Sequence, residues 1–290
     1  MTGVALNHRT SSSDETLAPE ALLAAAMVPP RRTRWKRAFA KISRYWLLAA
    51  FIIVWELVST FGQSVNPQLD VMLPPPTALF SAAQDLWARG VLIMHIVDSL
   101  RRVLVAVGVA AALGVPLGLA MGWFEGFHRV VDPVIEFIRP IPPLAWIPLS
   151  ILWFGIGDAQ IEYIIFLAAF FPIVLNSMAG ARDTDRYLVR AGLSLGARPH
   201  DLVFTVLLPG AMPNIFTGLR IGLGIGWMAL VAGELVAAPS GLGYLINNAR
   251  TIFRSDYILL GMVLIGALGL TLDRLMRHLM RIVMPWHRGL

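Results

Sequence analysis

Gly192-Leu193-Ser194-Leu195-Gly196 spells G-x-S-x-G, and His200 and Asp201 follow closely. In such a pattern a serine hydroxyl attacks, a histidine takes its proton and a carboxylate orients the ring. That chemistry needs the serine on a sharp strand-to-helix turn above a sheet. Both flanks here read as helix and no run of strands exists to build a sheet, so no nucleophile is expected. Gly222-Leu223-Gly224-Ile225-Gly226 could cradle a phosphate, but it lies within an apolar run and follows no strand. HExxH, CxxC and paired-carboxylate motifs are absent, as is cysteine. The only lysines, Lys36 and Lys41, follow no glycines, so there is no P-loop. The expectation is a non-enzyme with no metal site and no cofactor of its own.

What remains for chemistry is a set of ionisable residues within or beside apolar runs: Arg139, Arg220 and Glu234. Their setting gives them weight. The 290 residues are 57% hydrophobic and only 14% charged, with a mean hydropathy of +0.67, whereas a soluble domain carries about 25% charged residues. Residues 103–124, 140–157 and 163–181 contain no charge, and roughly 20 apolar residues cross a bilayer core. The spacing predicts an all-α polytopic membrane protein with six transmembrane helices. They are placed near 45–62, 99–122, 134–154, 160–180, 213–237 and 257–277. A disordered, basic tail is expected over 1–44, with a short surface helix at 17–28. The transmembrane domain is expected over 45–280 and a C-terminal tail over 281–290. No cleavable signal peptide is visible before the first apolar run.

The net charge of +6 invites a nucleic-acid reading. Its distribution argues for lipid instead, because seven of the 24 basic residues fall between Arg31 and Arg44, directly before the first span. With the N-terminus inside, 16 basic residues lie in cytoplasmic segments against at most 5 outside. Arg101 and Arg102 are among those five, at a span edge. Both termini are therefore expected in the cytoplasm, and no nucleic-acid partner. Gly114, Gly118 and Gly122 recur every four residues, as do Gly218, Gly222 and Gly226. Such stripes let helix backbones approach closely, within one bundle or across a dimer seam.

Between the fourth and fifth runs lies VRAGLSLGARPHDLVFTVLLP, residues 189–209. Asp183 or Asp185 can cap a first helix, whose inner face would be Leu188, Ala191, Gly192 and Leu195. Gly196 suits the left-handed residue that ends it, and Pro199 the first turn of a second helix. Leu202, Val203, Val206 and Leu207 share one face of that helix, and Pro209 is expected to limit its end. Two short helices about a sharp turn, over about 183–209, would fit a cleft on a soluble partner.

This segment resembles the coupling motif of permease subunits from bacterial ATP-binding-cassette importers. Ala191 stands at its first alanine, Gly196 at its glycine, and Val206-Leu207-Leu208-Pro209 at its ending. Arg190 replaces the usual glutamate and Gly192 the usual second alanine. Over roughly 45–287 the chain is similar to the nitrate/sulfonate/taurine group, above all the taurine type. LPPP at 73–76, RPIPPLAWIP at 139–148, WFGIG at 153–157, TGLR at 217–220, GEL at 233–235, GLGYL at 241–245 and PWH at 285–287 carry that likeness. The resemblance implies a type I importer permease fold in a bacterial cytoplasmic (inner) membrane. It implies a second permease chain, as a homodimer, and two cytoplasmic ATPase subunits that carry the ATP-Mg. An external solute-binding protein would deliver a small anion such as taurine or another sulfonate. Arg190, Ala191, Gly192, Gly196, Ala197, Leu208 and Pro209 would couple to the ATPase. An ion-gradient-driven secondary transporter of a small anion is the alternative. It predicts midplane ionisable pairs and internal repeats, neither of which is clear here.

For the path, Pro140, Pro142, Pro143 and Pro148 remove backbone donors and must break the third span. Broken helices inside a membrane line cavities and present ion-binding ends. Arg139 at the entrance suits an anion, or snorkels to the headgroups. Arg220 and Glu234 fall within about 40° of one helix face, roughly 21 Å apart. An unpaired Glu234 would repel an anion, so it reads as structural or gating. Trp146 and Asn176 complete the candidate path, with packing as their simpler role.

Overall fold

The computed structural model describes residues 34–65 and 72–285, and every regular element among them is helical. The expected surface helix at 17–28 and the start of the basic tail lie outside the described residues. The chain parts into two compact units, 1–54 and 55–290, with the boundary inside helix α1 (Arg34–Val65). Helix therefore starts at Arg34, within the tail expected to be disordered to residue 44. No proline or glycine interrupts residues 34–61, and the alanines, lysines and arginines there favour helix.

The second unit continues with α2 (Ala78–Ala88), α3 (Val91–Trp123) and α4 (Glu125–Ile138). A 3₁₀ turn (Pro143–Trp146) leads into α5 (Ile147–Phe154) and α6 (Asp158–Asp183). Then come α7 (Arg186–Ser194), α8 (Pro199–Leu202), a π-helical turn (Val203–Leu207) and α9 (Leu208–Ala237). The last are α10 (Leu242–Thr251) and α11 (Ser255–Val283). Among the described residues, α3, α6, the helix over 200–237 and α11 are long and apolar enough to cross a membrane. The segment 125–138 with 143–154 qualifies only as a pair bent by 83°. The apolar stretch of α1, Ala49–Gln63, is shorter than these. Four such helices, five with the bent pair, stand against the six expected.

The bend falls where the prolines predict it. Residues 139–142 break the helix, and Pro148 is tolerated in the first turn of α5 because its missing N–H has no helical partner there. Outside the spans, α2 packs through Ala82 and Leu86 against Leu245, Ala249, Tyr257 and Leu260. The Tyr257 hydroxyl, and then Arg89, hold the Asp85 carboxyl of α2 below its ordinary range.

Helix α6 is the axis of the core. Val103, Ala106 and Ala110 of α3 and Leu223, Trp227 and Leu230 of α9 meet Ile161, Ile165, Ala169 and Ile173 on it. The two glycine stripes close on the same helix. A Cβ on Gly118 would strike the Val174 carbonyl and lie 2.7 Å from Ser177 Cβ. One on Gly122 would strike Ala181 Cβ, while Gly114 faces Ile173 at 3.1 Å. From the other side, Gly218 would meet Asn176 Cβ at 2.7 Å, Gly222 the Ala169 carbonyl at 2.9 Å, and Gly226 Ile165 at 3.2 Å. Both stripes thus serve helix packing inside one chain, which leaves them no free face for a dimer seam. Gly118→Ala is expected to destabilise by about 1–3 kcal/mol, the cost of overpacking a close contact. Gly108→Ala, on the open face of α3 with nothing within 4 Å, should be neutral or gain up to about 1 kcal/mol. Thermal unfolding of both variants in detergent checks the contrast.

Candidate functional site

Asp183 ends α6 and accepts from Asn214 Nδ2 at 3.0 Å. Asp185 takes the capping role, accepting from the Tyr187 N–H at 2.8 Å. Helix α7 ends at Ser194 and is closed by Gly196, whose φ is +86°. The Ala197 N–H donates to the Gly192 carbonyl and the Gly196 N–H to that of Leu193, both at 3.0 Å. This pair of bonds is a Schellman closure. It folds α7 back on α8, and a Cβ on Gly192 would lie 2.5 Å from Leu202 Cδ2. The glycine that replaces the motif's usual alanine therefore makes room for Leu202.

Two expectations fail here. The supposed inner face of α7 is open: Leu188 is 58% and Leu195 87% exposed, and Ala191 is exposed as well. Only Gly192 turns inward, because α8 is too short to cover more of α7. Pro209 also does not end the second helix. The π-helical turn of Val203–Leu207 resets the register, so Pro209 falls in the first turn of α9, where its missing N–H is not needed. The second short helix is thus the head of a continuous helix that runs to Ala237. Leu202 and Leu207 are buried on it, as their spacing predicts. Ser194 sits in the last turn of α7, and His200 pairs with its neighbour Asp201 at 3.1 Å. No hydrolase constellation forms among the described residues.

At the break in the bent pair lies a cavity of about 230 Å³, lined by Arg139, Pro143, Trp146, Pro172 and Ile225. Arg139 is exposed and has no ion pair among the described residues. Pro142 precedes the 3₁₀ turn as its exposed cap residue. Asn176 turns away: its Nδ2 donates to the Pro172 carbonyl at 2.8 Å.

Arg220 and Glu234 do not work together, because each has a nearer opposite charge on another helix. Arg220 pairs with Asp273 of α11 at 2.6 Å, partly exposed. Asp273 also holds Arg277 at 2.8 Å, so Arg220→Ala leaves that carboxylate a partner and is expected to cost less stability than removal of a sole ion-pair partner; a melting curve checks it.

Glu234, 1% exposed, is the centre of a buried network. Its Oε1 accepts from Arg102 Nη1 at 2.7 Å and Ser99 Oγ at 2.8 Å, and its Oε2 from the Gly243 N–H at 2.8 Å. Arg102, also 1% exposed, donates further to Asp158 Oδ1 at 2.8 Å and to the Ser240 carbonyl at 2.6 Å. The Leu242 N–H donates to Ser99 Oγ at 2.9 Å, and the Gly241 N–H to His95 Nδ1 at 3.1 Å. Arg101 stays outside and pairs with Asp158. The start of α3, the start of α6, the end of α9 and the turn into α10 are tied in one knot. Counting Arg102 as an outer-loop charge misses it. The usable signal was the buried face of α3, where His95, Ser99, Arg102, Ala106 and Ala110 follow helical spacing.

Apolar helices locked by glycine on a central helix, a proline-broken span and an exposed, capped turn between spans define a polytopic helical membrane protein built for transport. Residues 114–285 match the family described as binding-protein-dependent transport system inner membrane component, and the chain belongs to that family. It is a permease, a non-enzymatic transmembrane subunit of a binding-protein-dependent ABC importer. Such a permease carries no cofactor and works with an ATPase, which binds the ATP, and a solute-binding protein. The taurine transport system permease protein of Escherichia coli is 37% identical over 264 residues, 89% of this chain and 94% of its own. The nitrate import permease protein of Synechocystis is 30% identical, over 82% of this chain and 87% of its own. An inward-facing structure of the MetNI methionine ABC transporter shares the fold, with a TM-score of 0.61 at 20% identity, covering 68% of this chain and 97% of that one.

Proposed function

We propose that this chain is the permease of a type I importer for a small anion, taurine or another sulfonate above all, in the bacterial cytoplasmic membrane. Two relatives support a solute with an anionic group: one is named for taurine, which carries a sulfonate, and the other for nitrate. Six helices cross, with the apolar part of α1 as the first and the bent pair as the third. The spanning domain is 45–280, between cytoplasmic tails at 1–44 and 281–290. The excess of 16 basic residues over at most 5 supports that orientation.

The observation that carries the reading is the turn between α7 and α8. It is closed rigidly at Gly196, yet Leu188 and Leu195 are left uncovered. A fixed frame with an open apolar face is suited to a cleft on an ATPase. Two permease copies engage two ATPase subunits there through Arg190, Ala191, Gly192, Gly196 and Ala197. Leu208 and Pro209, where the register resets, pass the motion directly into the helix that ends at Ala237. An external binding protein delivers the solute. The break at Arg139, Pro142, Pro143 and Trp146 lines the path, with Asn176 bonded to the Pro172 carbonyl behind it, and Arg139, without an ion pair among the described residues, draws an anion. Arg220, midway along α9 and paired with Asp273, and Glu234, at its end, serve as gate elements.

The test is a tagged purification from membranes followed by reconstitution with the binding protein and taurine. An ATPase is expected to co-purify and to drive ATP-dependent uptake. A chain that purifies alone, or uptake driven by an ion gradient without ATP, overturns the proposal.

A further inference from the structure

Trp123, the last residue of α3, lines two cavities of opposite character. One, of about 390 Å³, is faced by Arg182 at the end of α6, Thr184, Arg186 and Arg190 of α7, and Glu125 of α4. Glu125 is already neutralised by Arg129 at 3.0 Å. Arg182, Arg186 and Arg190 have no ion pair among the described residues. The recess therefore carries an excess of positive charge. The other cavity, of about 420 Å³, is almost wholly apolar, between Val115, Pro116 and Leu119 of α3 and Val203, Phe204 and Leu207 of the π-helical turn.

We propose that an anionic phospholipid binds across Trp123, its phosphate among the three arginines and an acyl chain in the apolar groove. Two features select this occupant. A free anion satisfies the arginines but leaves the groove empty, and a neutral lipid fills the groove but leaves the arginines unpaired. Arginine forks match phosphate oxygens, basic residues at a span end attract anionic headgroups, and tryptophan sits at the headgroup level. The lipid wedges between the end of α3 and the α7–π-turn segment, and so braces the coupling turn. Arg186 then holds the headgroup, Leu188 and Leu195 remain for the ATPase, and Arg190, which lines the recess, is shared between the two. This inference rests on the reading of the chain as a bilayer-spanning permease.

The experiment uses the permease with its ATPase in nanodiscs of phosphatidylcholine, with or without phosphatidylglycerol. Native mass spectrometry reads the lipid retained on the permease. Wild type is expected to keep phosphatidylglycerol, and Arg182→Gln/Arg186→Gln to bind it about thirtyfold more weakly. Ala120→Trp, which fills the groove beside Leu119 and spares the arginines, should lose the lipid too. Equal retention of the two lipids, or of phosphatidylglycerol by the arginine variant, overturns the proposal. So does inorganic phosphate binding equally to wild type and Ala120→Trp with no lipid retained, which would mark a free-anion site. Retention is read on the permease itself, so it stands or falls separately from ATPase co-purification.

Discussion

Arg102→Ala is expected to destabilise the permease by about 3–5 kcal/mol, the range for breaking one side of a buried ion pair. Most of that cost is the charge left behind. Glu234 would keep only Ser99 and the Gly243 N–H, in a site where it is 1% exposed. The Ser240 carbonyl would lose its donor as well. Glu234→Ala should cost about as much, since Arg102 is equally buried. Glu234→Gln should cost less, because the amide oxygen can still accept from Ser99 and Arg102 keeps Asp158. The turn into α10 is built around this carboxylate: Gly241 has φ +115°, and a Cβ there would strike the Glu234 carboxylate. In a double-mutant cycle measured by thermal unfolding in detergent, the pair should be strongly coupled. An Arg102→Ala protein that melts like wild type would show that the knot does not hold this end of the bundle.

The charge-free runs announce α3 and α6, the apolar stretches near 213–237 and 257–277 announce α9 and α11, and four clustered prolines announce the broken span. Gly196 and Pro199 mark the turn between α7 and α8 because a left-handed residue and a first-turn proline are local demands of the backbone. Pro209 misleads, since a local rule reads it as a stop while a π-helical turn upstream turns it into a start. The knot is hidden for a different reason. Arg102 and Glu234 are 132 positions apart, and nothing local to either marks the other as its partner. Charge also blurs the beginning of α3: Asp98, Arg101 and Arg102 look like the edge of a span, yet the helix begins at Val91. The exposed face of α7 resembles a core stripe by spacing alone. Spacing reports that a face is apolar, not whether the same chain covers it.

Gly196→Val is expected to abolish ATP-driven uptake while leaving the spanning bundle folded. The residue sits at φ +86°, and nothing lies within 4 Å of where its Cβ would be. The substitution therefore creates no clash with the core; its whole effect is backbone strain, roughly 1–2 kcal/mol for an L-residue and more with a β-branched one. That strain falls on a helix running only from Arg186 to Ser194, with no residue of its own buried. Such a helix has little to resist with, because short helices are held by tertiary packing. The closure at Gly192 and Leu193 should open, and the angle between α7 and α8 should be lost. Gly196→Asn supplies the control, since asparagine tolerates the left-handed region, and it should keep most of the uptake. The two variants should have melting temperatures close to wild type, so the difference between them would be in transport. If Gly196→Val takes up solute as well as Gly196→Asn does, the rigid turn is not the lever, and the continuous helix from Pro199 into α9 must carry the motion by itself.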